Sequence, residues 1–460
     1  MYLSQPIVKR GFFYSPADSD KKYPGVLTIS DGGGVELELT ADESAFTSFE
    51  GMEIGRLIGL VEGGYVTLEG CGYRNKSISF GLPATSRIEA HIAFDGAGMP
   101  EPGKFLSMRF SVDGLSEWWN KSAFKFDHGD KFEDFTLAVD IPISVEFSLQ
   151  DNTRFQLSLD AKIPGGRKFP TLELFHQAYI QITSAESKPF EYFLDLSHRI
   201  TRFFAFVIGR PVAIHSLKAK LDAPELESLH KWLSVYFRSL NFPSRQEGKP
   251  FHTHDMLLSY VNIGTRLESM LSNWLKECDN LGPALHHYYL IQDGANSFAD
   301  TKFISMAQAL EAFHRRTSSS TKWPKAEYDQ KVVAIIEGCP DADRNWLKQK
   351  LNFGNEITLA ERLEQMFSPY LAVFGGEEAV ADIIRKTKNT RNYHAHYDPK
   401  GARKAVKGAA LVALTFRLQV LFTLCVVVRL GSTVEEATNI AKTGPLARLL
   451  QSATHIDEDS

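Results

Sequence analysis

The chain has 460 residues, too many for one ordinary hydrophobic core, so two or three domains are expected. Its 43% hydrophobic and 23% charged residues are the composition of a soluble globular protein. A formal charge of −5 excludes a polycation, so any nucleic-acid function must rest on a local patch.

The amino terminus, MYLSQPIVKRGFFYSP, lacks the long apolar core of a signal peptide, and no export is expected. Cys71, Cys278, Cys339 and Cys425 lie far apart, make no metal-type spacing, and are expected as reduced thiols of a cytoplasmic protein. From about residue 10 to about residue 165, short alternating apolar runs punctuated by glycine predict strands. GVLTI, DGGG and VELELT predict strand, hairpin turn and strand; because DGGG precedes a strand and not a helix, it is a turn and not a phosphate cradle. RIEAHIAF puts Ile88, Ala90, Ile92 and Phe94 on one face, and ISVEFSLQDNTRFQLSL predicts two strands around an Asp-Asn turn. A helix follows over KPFEYFLDLSHRITRFFAFVIGRP, and AIHSLKAKL and LSVYFRSL return to strands.

Beyond about residue 250 the apolar period becomes helical. FHTHD, with His252, His254 and Asp255, predicts a polar loop, since no second cluster completes a metal site; no metal or other cofactor is expected. Phe303, Met306, Ala307, Leu310 and Phe313 form one stripe of a helix starting near Asp300. RRTSSSTKWPK predicts a mobile polar loop. Thr358 and Glu361 predict a capping box opening the helix LAERLEQMF, and Ser432 and Glu435 a second one after Gly431. Between them, helices are predicted over 376–397 and 402–430. The run from Ala409 to Leu430 is long enough to cross a membrane, but Arg417 and Gln419 near its middle favour a buried bundle helix and no membrane partner. The expected architecture is α+β and multidomain: a β-rich domain over 1–250, a helical connector over 251–296 and an all-α helical bundle over 297–460.

RNYHAHYDP, residues 391–399, carries the candidate chemistry. On a 100° wheel with Val380 at zero, Ile383, Ile384 and Thr387 fall within about 60° and define the buried stripe. Arg391 falls at about 20° and His394 at about −40°, on that stripe, whereas Asn392 and His396 fall near 120° and 160°. An arginine on a buried stripe must be paired or face a polar cleft. Arg391 and His396 point about 140° apart, so a shared site requires a distorted last turn or a second copy of the helix. From Arg385 to Lys407, eight basic residues stand against Asp398, a local charge of +7 that fits a phosphate-binding footprint and equally a solvated helical face. Lys386, Lys388 and Arg403 within it, and Arg362 in AERL, are the candidate RNA contacts. Glu311 can orient a motif residue across the bundle, although its position four residues before Arg315 also makes a simple surface pair, and Arg362 fits a satisfied surface arginine as well.

A histidine that moves a proton and an arginine that holds phosphate oxygens suit attack by an RNA 2′-hydroxyl on its own phosphate, a route that needs no metal. One histidine is a meagre supply of acid and base, and a symmetric dimer provides two.

The order Arg391, Asn392, three residues, His396 resembles the HEPN superfamily. ALEAFHRR, NEITLAERL and RNYHAHYD are similar to the landmark segments of the ApeA-like HEPN domain, and RGFFYSP, YPGVLTI, YVTLEGC, RFSVDGLSEWW and FFAFVIGRPV resemble the β-rich domain that accompanies it. The resemblance implies a HEPN-type bundle that forms a homodimer with Arg391 and His396 from both copies in one cleft. It also implies metal-independent cleavage of RNA, tRNA included, to 2′,3′-cyclic phosphate and 5′-hydroxyl ends in bacterial anti-phage defence. Carried over by position, Arg391 and His396 are the catalytic pair and Asn392 the polar residue beside them. His394 and Ala395 depart from the bulky apolar and small polar residues common there, which makes His394 a packing residue. A phage-derived trigger at the amino-terminal domain is the remaining implied partner. Two alternatives stay open: a non-catalytic RNA- or nucleotide-binding regulatory module, and a structural role in which Arg391 and His396 only hold a helix end.

Overall fold

The computed structural model describes residues 2–41, 53–77, 84–128, 135–162, 173–222, 232–239, 250–293, 298–397 and 399–458. Their contacts divide the chain into two units, Met1–Glu268 and Ser269–Ser460, so the predicted connector falls in both.

Alternating apolar side chains build the first six strands, β1 (Ile7–Ser15), β2 (Asp18–Ile29), β3 (Val35–Ala41), β4 (Glu53–Val61), β5 (Gly64–Ser77) and β6 (Ala84–Ala90). They pair antiparallel in the order β4, β1, β2, β3, β6, and β5 bonds both β4 and β6, which closes a six-stranded barrel. Phe13, Leu27, Leu57, Leu68 and Ile88 are fully buried inside it, so side chains fill the barrel. Gly59 makes room for them: a Cβ there would lie 2.4 Å from the Phe13 ring. The DGGG turn joins β2 to β3 as expected, with Gly32 and Gly33 at φ 89° and 77°, where a side chain would be strained.

The chain continues through β7 (Ile92–Asp95), β8 (Lys104–Val112), a short helix α1 (Leu115–Trp119) and a separate hairpin, β9 (Phe124–His128) with β10 (Phe135–Val139). β11 (Val145–Ser148), β12 (Arg154–Lys162), β13 (Phe175–Pro189), helix α2 (Phe190–Ile208), β14 (Ile214–Leu221) and β15 (Trp232–Phe237) complete the unit. Beyond β5 the sheet runs β7, β15, β14, β8, β13, β12, β11, and α2 packs on β8 and β13 through its buried aromatic stripe. Asp151 and Asn152 occupy left-handed φ in the β11–β12 turn, as the sequence requires. One expectation is corrected. RIEAHIAF is not one face of one strand, because His91 separates β6 from β7 and the alternation slips: Ala93 is fully buried and Ile92 is not.

The second unit is helical: most of α3 (Leu267–Asp293), then α4 (Ala299–Thr317), α5 (Lys325–Glu337), α6 (Arg344–Leu351), α7 (Leu359–Phe367), α8 (Glu377–His396), α9 (Gly408–Arg429), α10 (Val434–Ala441) and α11 (Gly444–Glu458). The architecture is therefore α+β, a barrel-and-sheet unit followed by a helical one. The stripe of α4 is buried as predicted, and Tyr288 and Phe313 pack on Phe422 of α9 at 5.0 and 5.9 Å between ring centres. Among the described helices, α9 is long and apolar enough to cross a membrane, but twelve of its residues are buried and Arg417 bonds Asp457 of α11 at 2.6 Å, as in a bundle core. α9 starts at Gly408 and not at 402, since Val406 N–H is bonded to Thr390 Oγ1 at 3.0 Å and the turns before it are held to α8. The second capping box is shifted by one, to Thr433 and Glu436, because Ser432 N–H is engaged with Val427 in closing α9. The Ser318–Trp323 loop is tied down: Trp323 N–H bonds the Asn355 side chain at 2.9 Å, and Thr321 bridges Glu356.

Candidate active site

Helix α8 begins after Gly375 and Gly376, both at positive φ, and buries Val380, Ile383, Ile384, Thr387 and Thr390 against the unit. That stripe is the one the sequence defines, and it carries Arg391 and His394 to the same side. Arg391 Nη2 donates to Glu311 Oε2 on α4 at 3.2 Å, with 35% and 21% of the two side chains exposed. Glu311 Oε1 meanwhile accepts from Arg315 Nε and Nη2, both at 3.3 Å. One carboxylate thus serves two guanidiniums, and Glu311 makes both the cross-bundle contact and the local pair.

The network runs deeper. Arg315 pairs with Glu356 at 2.7 Å, and Glu356 lies 3.8 Å from Arg362. Arg362 is not the surface arginine expected: it is 5% exposed and donates from Nη1 to His314 Nδ1 at 3.1 Å. Its guanidinium is therefore committed inside the bundle. Since Nδ1 of His314 accepts, Nε2 carries the hydrogen and donates to Gln365 Oε1 at 2.8 Å. Burial, and after it the Arg362 charge, hold His314 below the usual histidine range, against the Gln365 bond. The sequence reading missed His314, although its place four residues after Leu310 on the buried stripe was a usable signal.

The His394 side chain is 6% exposed, with Phe303, Tyr393 and Tyr397 rings 6.3, 5.1 and 5.9 Å away and Nε2 3.9 Å from Asp300. Its Nδ1 has no hydrogen-bond partner among the described residues. It packs, as its place on the stripe requires. Asn392 and His396 are exposed. α8 stays helical through His396 and is ended by Tyr397 at φ 49°, ψ 31°, so the last turn is not distorted. Arg391 and His396 accordingly leave the axis about 140° apart, and a single copy does not bring them to one face.

Of the basic residues, Lys386 is 2.8 Å from Asp382, which Arg385 also contacts. Burial acts to raise the Asp382 carboxyl, and the Lys386 and Arg385 bonds and charges together outweigh it and hold the carboxyl below its ordinary range. Lys388, Arg403, Lys404 and Lys407 are exposed, and Lys407 Nζ lies 5.6 Å from the Tyr393 ring centre. Asp398 lies outside the described residues. At His252 and His254 the rings stack at 5.3 Å, and no group of three metal-type ligands gathers among the described residues.

Two family models match the chain. One, described as ApeA N-terminal domain 1, covers residues 8–274, more than half of the sequence. The other, described as Apea-like HEPN, covers residues 304–436, which take in most of α4 and all of α8. No curated protein and no solved structure matches.

Proposed function

The chain belongs to the family that joins an ApeA N-terminal domain 1 to an Apea-like HEPN domain, and from that membership we propose that it is a metal-independent endoribonuclease. The HEPN assignment supports a nuclease-type defence role in general, and HEPN domains commonly dimerise and bind RNA. The finer reading is that this chain cuts host RNA, tRNA among it, in the bacterial cytoplasm during phage infection, on a trigger sensed by the β-rich unit. The observation that carries it is the Arg391, Asn392, His396 pattern inside the HEPN match, its arginine held by Glu311 and its flanks basic.

Because Arg391 and His396 diverge on one helix, the working site takes both residues from two copies. One His396 imidazole accepts the proton of the RNA 2′-hydroxyl as the O2′–P bond forms. The other, protonated, gives its proton to O5′ as the P–O5′ bond breaks, leaving a 2′,3′-cyclic phosphate and a 5′-hydroxyl. Arg391 places its planar fork against the phosphate oxygens, whose charge is most concentrated in the transition state, and Asn392 adds an amide donor beside it. Lys388 and Arg403 hold flanking phosphates; Lys386 does so by exchanging Asp382 for the backbone of the RNA. Arg362, committed to His314, supports the site from behind.

Incubating the full-length protein with tRNA in EDTA tests the proposal. Cleavage by the wild type that is lost in Arg391→Ala and His396→Ala, with both variants folded, supports it. Salt-dependent binding with no turnover under any activating condition points instead to the non-catalytic RNA-binding module.

A further inference from the structure

Tyr397 ends α8 in a left-handed conformation, φ 49° and ψ 31°. Glycine or asparagine takes that position at little cost, and a bulky residue only against strain. The other non-glycine residues at positive φ among those described are Asn120, Asp151, Asn152 and Ser216, all short and polar. The tyrosine is the exception, and burial does not account for it: 67% of it is exposed. Its ring makes T-shaped contacts with the Tyr393 and His394 rings, at 5.6 and 5.9 Å between centres, and otherwise stands in solvent reach.

What surrounds that ring has a chemical direction. His396 immediately precedes it. The turn that follows is bonded back to α8 through Val406 and Thr390, and it carries exposed Arg403, Lys404 and Lys407, the last over Tyr393. An exposed aromatic ring beside exposed cations suits a nucleotide strand, with a base on the ring and phosphates on the cations. A protein partner is less well served, because the centres of protein interfaces are depleted in lysine.

We infer that Tyr397 is a stacking platform for one unpaired nucleobase next to the phosphate attacked at His396, which makes the substrate looped or single-stranded RNA and not duplex. The inference rests on the ribonuclease reading and deepens it. A base inside an A-form helix has both faces covered by its neighbours and cannot reach the ring, whereas a loop base can be splayed onto it. The strained backbone then has a functional reason, since it aims the ring outward from the end of α8.

The test uses the full-length protein in EDTA with an RNA hairpin whose loop is 2′-O-methylated, so that it lacks the attacking hydroxyl, and a duplex of the same stem. Binding, melting temperature and mass in solution are measured for wild type, Tyr397→Phe and Tyr397→Gly. The wild type is expected to prefer the hairpin, and Tyr397→Phe to bind it within about twofold of wild type, because the ring is kept. Tyr397→Gly is expected to bind the hairpin roughly 5- to 150-fold more weakly, the equivalent of one lost base stack. Its duplex affinity and solution mass should be unchanged, and its melting temperature no lower than the wild type's, since glycine relieves the strain. Hairpin binding by Tyr397→Gly equal to wild type overturns the inference and leaves the ribonuclease reading standing. A changed solution mass places the ring between copies of the chain and also overturns it, as does a lowered melting temperature, which makes the ring a packing residue. No RNA binding by the wild type overturns both readings together.

Discussion

Glu311→Gln separates positioning from mere packing. The carboxylate sits between Arg391 and Arg315, at 3.2 and 3.3 Å, and about a fifth of its side chain is exposed. At that exposure solvent screens each pair, so each bond contributes roughly 0.5–1 kcal/mol, and the loss with Gln comes to about 1–2 kcal/mol once the amide keeps one weaker contact. For a unit of this size that lowers the melting temperature by roughly 2–8 °C. The larger effect is expected on rate. Freed from Glu311, Arg391 no longer sits in one place, and a misplacement of about 1 Å costs on the order of a hundredfold, so kcat should fall about 10- to 100-fold with KM changed much less. Arg315→Gln is the control: it breaks the Glu311 and Glu356 pairs on the far side but leaves the Arg391 bond, so stability falls while cleavage is largely kept. Steady-state cleavage of a fluorescent RNA and thermal melts measure both. If Glu311→Gln melts lower yet cleaves within about twofold of wild type, Glu311 only packs, and the positioning argument is wrong.

Three further outcomes are expected. The folded state holds His314 neutral below its ordinary range, whereas the unfolded chain protonates it near the ordinary value of 6.5, so stability falls as pH drops through about 6.5; melts from pH 8 to 5 should show that slope, flattened in His314→Gln. Thr358→Ala removes the box opening α7 and should cost about 1 kcal/mol in denaturant unfolding. Glu361, whose carboxyl is held low first by the Thr358 backbone N–H and then by its hydroxyl, keeps the first bond in this variant, so only part is lost of the stability it contributes above the ordinary carboxyl range and gives up on acidification. Lys388→Glu and Arg403→Glu should weaken RNA binding and each reduce the slope of log Kd against log salt by about one; an unchanged slope removes those residues from the phosphate footprint.

Local patterns in the sequence carried through to the fold wherever the determinant is itself local. The α4 stripe, the Thr358–Glu361 box, the DGGG hairpin and the Asp-Asn turn each depend on residues within a few positions of one another. Barrel closure was not legible, because β6 follows β5 directly but returns to β3 past the whole of β4 and β5, and alternation says nothing about which strands pair. The same distance effect hid the network behind Arg391. The wheel put Arg391 on a buried stripe and so required a partner, but the choice of Glu311, 80 residues earlier, depends on how α4 lies against α8. Arg362 was misplaced at the surface for a related reason: charge argued for solvent, whereas His314 and Glu356 satisfy it inside. The end of α8 differed in kind, since nothing local favours a tyrosine in left-handed geometry.

The chemical identity of the RNA ends tests the central claim most directly. After wild-type cleavage in EDTA, fragments should carry 2′,3′-cyclic phosphates and 5′-hydroxyls, and Arg391→Ala and His396→Ala should yield none. Fragments bearing 5′-phosphates and 3′-hydroxyls, or the same cyclic ends from either variant, contradict it.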